Sequence, residues 1–330
     1  MRIAIIGATG MIGHHSARAA IARGHELVVV HRASSKLDHL TDLKYTSAIS
    51  DLDNREALTR ALADVDAVIN CAGYYPTLPR PWREDVQIAT AQMENFYAAC
   101  AQSPLRKIVY LGGAIALRRH PLGEPGSESL SYASEPADKN PYLQVKWAMD
   151  AQALGKAREG LPVTIGIPSM TFGEYDYGPT TGRLIVEIAN RTMPGYVRGK
   201  RNVIYAGDAG RGLVRVCEDG RVGERYLLTG ANVSMDELVE KIAAIAGVPA
   251  QRAVPLPAAR LISQIQTLRY RWFKGPVPRV DATAIAVMSA GQHLSGAKAQ
   301  NELGFTSSVT LDDTITRALH WFRAQGYVRG

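Results

Sequence analysis

The 330-residue chain predicts an α/β fold: a doubly wound, mostly parallel sheet followed by a smaller, mixed C-terminal unit. Three observations lead there. An apolar run, Ile3 to Ile6, precedes Gly7, Gly10 and Gly13 in the spacing GxxGxxG. Short apolar runs then alternate with helix-period stretches through the first half, which reads as βα units. After Pro168 the alternation stops. The predicted division is residues 1–168 and 169–330, with segments of the second part returning to the first.

In order, the apolar runs predict strands at 2–6, 26–30, 43–46, 67–70, 107–111 and 163–167. Helical periodicity predicts helices at 11–23, 54–62, 83–102 and 142–159. Beyond Pro168 lie a helical run at 182–191, a strand at 226–229, and helices at 235–246, 281–289 and 311–325. Ser234 with Glu237 forms a capping box, and Thr310 caps the last helix with Asp312 and Asp313 in its first turn.

Composition narrows the classes. Hydrophobic residues at 46% and charged residues at 21% are ordinary for a globular protein. Cys71, Cys100 and Cys217 match no metal or redox spacing and suit a reducing compartment, so a cytoplasmic protein without a metal site is expected. No apolar run is long enough to span a membrane. The net charge of +7 is scattered and lacks a nucleic-acid reader motif. The densest basic stretch, Arg269 to Lys274, reads as a helix or loop with snorkelling side chains.

The opening segment carries the first chemistry. Strand, glycine turn and helix make a cradle for a dinucleotide pyrophosphate, lined by Gly7, Thr9, Gly10, Met11, Ile12 and Gly13. The second strand ends in His31 and Arg32, without an acidic residue for a free ribose 2′-OH. Arg32, with Lys36 nearby, suits a 2′-phosphate, so NADP is expected over NAD. Asp51 and Leu52 are candidates for holding adenine, Asp51 also for capping the next helix. Cys71, Ala72 and Gly73 end the fourth strand, where small residues admit the dinucleotide.

Tyr142 and Lys146 stand at i and i+4 on a helix that Pro141 can start. A nearby ammonium and the cofactor's positive nicotinamide ring favour the phenolate, so the pair suits proton exchange with a substrate oxygen and contact with the cofactor.

These motifs, with Pro168 to Gly173, make the chain resemble an extended short-chain dehydrogenase/reductase. Within that group it is similar to the NAD(P)-dependent epimerase/dehydratase and dihydroflavonol-4-reductase-like branches. The resemblance covers nearly the whole chain and implies a Rossmann-like first unit, with Pro168, Met170 and Thr171 near the nicotinamide. It also implies a C-terminal part that closes over the substrate, and a homodimer built through long flanking helices.

One departure stands out. The resemblance implies a Ser or Thr after the fifth strand, yet Gly112 and Gly113 fill those positions. Three accounts follow. A hydroxyl from Ser131, Ser134, Tyr74, Tyr75 or Thr171 replaces it; water or substrate takes the role; or the protein is a weakly active NADP(H)-binding regulator. Tyr74, Gly113, Ser131, Asp176, Tyr177 and Thr181 are candidates for lining the substrate cleft. The leading expectation is an oxidoreductase acting on an alcohol or carbonyl; the second is a nucleotide-sugar epimerase.

Overall fold

Alternation along the first strand sets the layers of the computed structural model, which describes residues 1–76, 78, 80–273 and 291–329. In β1 (Arg2–Ile6), Ile3 and Ile5 join one core cluster and Ala4 and Ile6 the other, so both faces are covered. The chain continues through α1 (Met11–Ala22), β2 (Glu26–His31), β3 (Thr46–Ile49), α2 (Arg55–Ala61), β4 (Ala67–Asn70) and α3 (Trp82–Cys100). It proceeds with β5 (Lys107–Leu111), α4 (Pro141–Arg158), β6 (Val163–Pro168), β7 (Met170–Phe172) and α5 (Arg183–Ala189). Then come β8 (Lys200–Tyr205), α6 (Ala206–Asp219), β9 (Arg225–Leu228), β10 (Ala231–Ser234) and α7 (Met235–Ala246). The last elements are α8 (Leu256–Phe273), α9 (Ala297–Leu303) and α10 (Leu311–Ala324).

Seven strands form one parallel sheet in the order β3-β2-β1-β4-β5-β6-β9. It is Rossmann-like. The order reverses between β1 and β4, and the carboxyl ends flanking that point are where such sheets bind ligands. Gly7, Cys71 to Gly73, Gly112 with Gly113, and Pro168 all stand at or just beyond those ends. A small mixed sheet, β10-β8-β7, carries a separate core around Phe172, Val203, Leu238, Ile315 and Phe322. Residues 206–228 return from this second part: α6 packs beside α1 and β9 extends the large sheet.

Two caps fall where the sequence puts them, at Ser234 and Thr310, and Asn140 adds a third. Asn140 accepts the Leu143 N–H at 3.0 Å with Pro141 opening α4, Ser234 accepts from Glu237, and Thr310 from Asp313. Three expectations shift. The third strand lies at 46–49 rather than 43–46, because it is an exposed edge strand and the apolar Leu43 precedes it in a turn. The cap of α2 is Asn54, whose Oδ1 accepts from Ala57 N, and not Asp51. Helix α6 was not expected at all. The helix expected at 281–289 lies outside the described residues. Residues 269–273, of the basic stretch, belong to α8.

Candidate active site

The glycine loop is shaped by close approaches that only glycine permits. Gly7 has φ +83°, a left-handed conformation. A Cβ on Gly13 would lie 2.2 Å from the Gly7 carbonyl oxygen, so α1 rests directly on the turn. At Gly10 a Cβ would meet only the Gly7 oxygen, at 3.5 Å, and the residue is exposed. Among the described residues the N–H groups of Met11, Ile12 and Gly13 have no acceptor, and no acidic side chain occupies the first turn. These unsatisfied donors beside an open backbone surface fit a pyrophosphate.

At the end of β2, His31 and Arg32 part ways. His31 is buried, with Nε2 2.7 Å from Ser47 Oγ and Nδ1 2.9 Å from the Arg32 carbonyl. It stitches β2 to β3. Arg32 and Lys36 are exposed, and neither side chain has a hydrogen bond or ion pair among the described residues. Asp51 is half-buried; its Oδ1 accepts from Asp53 N at 3.1 Å, while Leu52 is buried beneath it. Asn70 Oδ1 accepts from Ala72 N at 3.0 Å and holds the Cys71 to Gly73 segment close to the sheet. Burial raises the Cys71 thiol to about 12, so it stays protonated and unreactive.

Helix α4 brings Tyr142 and Lys146 to the end of β5. The Lys146 methylenes run 3.4–3.6 Å from where a Cβ on Gly113 would stand, and its Nζ lies 6.0 Å from the Tyr142 ring centre. Both side chains are half-buried. Here the chain's own groups oppose the shift expected of the pair, an expectation that also counts on the cofactor's positive ring. Burial, with a smaller contribution from Tyr75, holds the Tyr142 phenol well above the usual tyrosine range. Burial likewise lowers Lys146 to about 8. Desolvation of the phenolate outweighs an ammonium at that distance, so the chain by itself keeps Tyr142 protonated.

The remaining hydroxyls are mostly engaged. Tyr74 donates to the buried Asp85 at 2.6 Å, and Ser131 accepts from Arg225, which also grips Asp150. Thr171 donates to the Ser169 carbonyl at 2.9 Å, and Thr181 to the Thr171 carbonyl. Asp176 accepts from Thr180 N, Thr180 Oγ1 and Gly182 N, which organises the loop after β7. Tyr177 stacks on His39 with ring centres 3.4 Å apart and meets Trp321 edge-on. Ser134 is exposed. The ring of Tyr75 lies 4.9 Å from that of Tyr142. The loop that carries it has no periodicity, so nothing in the sequence ranked Tyr75 above the other hydroxyls.

The profile of the NAD dependent epimerase/dehydratase family matches residues 3–228 of the chain. A solved nucleoside-diphosphate-sugar epimerase from Pseudomonas aeruginosa is 44% identical, with a TM-score of 0.88 over 100% of this chain and 99% of that one. A Synechocystis protein with a provisional dihydroflavonol 4-reductase name is 27% identical, covering 98% of this chain and 95% of that protein. Sterol demethylase protein B of Methylococcus capsulatus is 25% identical over 99% of this chain and 100% of that protein.

Proposed function

The chain belongs to the NAD dependent epimerase/dehydratase family, and from that premise we propose that it is an NADP-dependent oxidoreductase of an alcohol or carbonyl substrate. One observation carries the reading: Tyr142 and Lys146 share the face of α4 that borders Gly113, at the ligand-binding ends of the strands. The bound dinucleotide supplies or accepts the hydride. Gly7 to Gly13 hold its pyrophosphate, Arg32 and Lys36 the 2′-phosphate, Asp51 and Leu52 the adenine, and Pro168 to Thr171 border the ring.

Tyr142 moves the proton. A phenol kept protonated by burial is loaded as an acid, so the arrangement favours reduction, with the Tyr142 O–H donating to the carbonyl oxygen. Lys146, titrating near 8, can resupply that proton at neutral pH. Tyr75 is our choice for the second donor that Gly113 does not provide, because its ring packs against Tyr142.

The test pairs a carbonyl panel with Tyr142→Phe. The wild type should oxidise NADPH with an aldehyde or ketone, and the variant should lose roughly 10²–10⁴-fold in turnover. Its NADPH affinity, read by fluorescence titration, should barely change. Unchanged turnover would remove Tyr142 from the mechanism. The 44% identity to a nucleoside-diphosphate-sugar epimerase supports a second reading. In that case a nucleotide sugar is isomerised with no net change in free NADPH. Tight NADPH binding without turnover of either class would leave a regulator.

A further inference from the structure

Helix α8 is inside out. Its buried or half-buried positions include Ala259, Ser263, Gln266, Thr267 and Tyr270, a mostly polar set. Five of its apolar side chains face solvent: Leu261 is 57% exposed, Ile262 47%, Ile265 49%, Leu268 54% and Trp272 78%. Leu261, Ile265, Leu268 and Trp272 follow the spacing i, i+4, i+7, i+11, which is one continuous stripe. Its first turns are anchored by Leu256 and Ala259, which pack on Val197 and Val254.

Charge singles out what would cover such a stripe. From Lys241 to Arg279 the sequence has seven Lys and Arg and no Asp or Glu. Arg260 and Arg269 are exposed on α8 itself, beside the stripe. A second copy of the chain would bring like charge against like. A nucleic acid would match the charge but leave the apolar stripe in water. An anionic lipid surface matches both, because acyl chains accept the stripe while headgroups meet the arginines.

We propose that α8 lies flat on anionic membranes and makes this protein a peripheral membrane protein. Among the described residues no helix is long and apolar enough to cross a bilayer, so the attachment is interfacial and reversible. The proposal does not depend on the redox reading.

Co-sedimentation with phosphatidylcholine vesicles, with and without phosphatidylglycerol, tests it on the full chain. Binding should require phosphatidylglycerol and weaken as salt rises. Two variants at exposed positions should each lose it: Leu261→Gln/Leu268→Gln/Trp272→Gln, and Arg260→Glu/Arg269→Glu. Circular dichroism and thermal melting should show both still folded. Failure to sediment with anionic vesicles, or sedimentation that both variants retain, overturns the proposal. So does light scattering that shows a dimer which the apolar variant dissociates, because a second copy then covers the stripe.

Discussion

In the proposed mechanism Gly113 lacks the side-chain donor that the Tyr142–Lys146 pair needs, and Tyr75, packed against Tyr142, is our choice to replace it. Tyr75→Phe should therefore lower turnover by roughly 10²–10³-fold, the usual effect of losing one such donor. A Cβ on Gly113 would sit in ordinary contact with Lys146, so serine fits there without displacing it. Gly113→Ser should restore part of the lost rate in the Tyr75→Phe background. If Tyr75→Phe turns over normally, the donor assignment fails. Arg32 is tested separately: Arg32→Asp should weaken NADPH far more than NADH, and equal weakening would sink the 2′-phosphate assignment. Much of the candidate site is suggested by the chain itself. The glycine spacing, Arg32 and the Tyr142–Lys146 interval are local patterns. The state of Tyr142 was not, because desolvation depends on what folds around the ring. The hydroxyls of Tyr74, Ser131 and Thr171 looked equally available, and only folding commits them to Asp85, Arg225 and a carbonyl.

Helix α6 shows why some elements escape a reading by pattern. Gly207, Gly210 and Gly212 interrupt its sequence, and glycine lowers helix propensity by about 1 kcal/mol at each position. At Gly210 the reason is contact. A Cβ there would lie 2.5 Å from the His15 carbonyl carbon and 2.7 Å from Ser16 N, so α1 and α6 meet backbone to backbone. Propensity alone predicts that Gly210→Ala stabilises the protein. The contact predicts the reverse, a loss of roughly 1–3 kcal/mol, because neither backbone can move without disturbing the sheet. A rise in the urea midpoint on this substitution would show that the helices are not so close. Buried strands with continuous apolar runs, such as β1, β4 and β5, were legible because both faces are covered. Thr46–Ile49 was displaced by three residues because an exposed edge strand needs no apolar run. Strand β9 reads plainly as a strand, yet its place in the large sheet is a matter of topology that no local pattern records.

Across the whole molecule, two buried histidines of α1 join the large sheet to the smaller unit. The His14 ring stacks on Tyr175, with centres 3.7 Å apart, and His15 meets Tyr205 edge-on at 5.6 Å. Arg18 donates to His14 Nε2 at 3.0 Å, which requires that nitrogen to be unprotonated. Burial, then Arg18, holds His14 down at about 3. Burial lowers His15 to about 4, although Glu174, 3.6 Å away, pulls the other way. Asp42 and Asp208 also favour the charged forms without offsetting burial. In the unfolded chain both rings titrate near 6.5, so between that pH and the folded values the unfolded state binds more protons. Stability is therefore complete above 6.5 and falls as the pH drops through that window. Each ring contributes up to about 1.4 kcal/mol per pH unit, so acidifying to about pH 5 should remove roughly 4 kcal/mol. That is a large share of a typical folding free energy of about 5–15 kcal/mol. Urea midpoints measured between neutral pH and about pH 5 should drop steeply for the wild type. A His14→Gln/His15→Gln variant should start less stable but show a much flatter pH dependence, because carboxylates protonate mainly below that range. Equal slopes in the two proteins would mean that α1 does not govern the acid sensitivity of the join between the units.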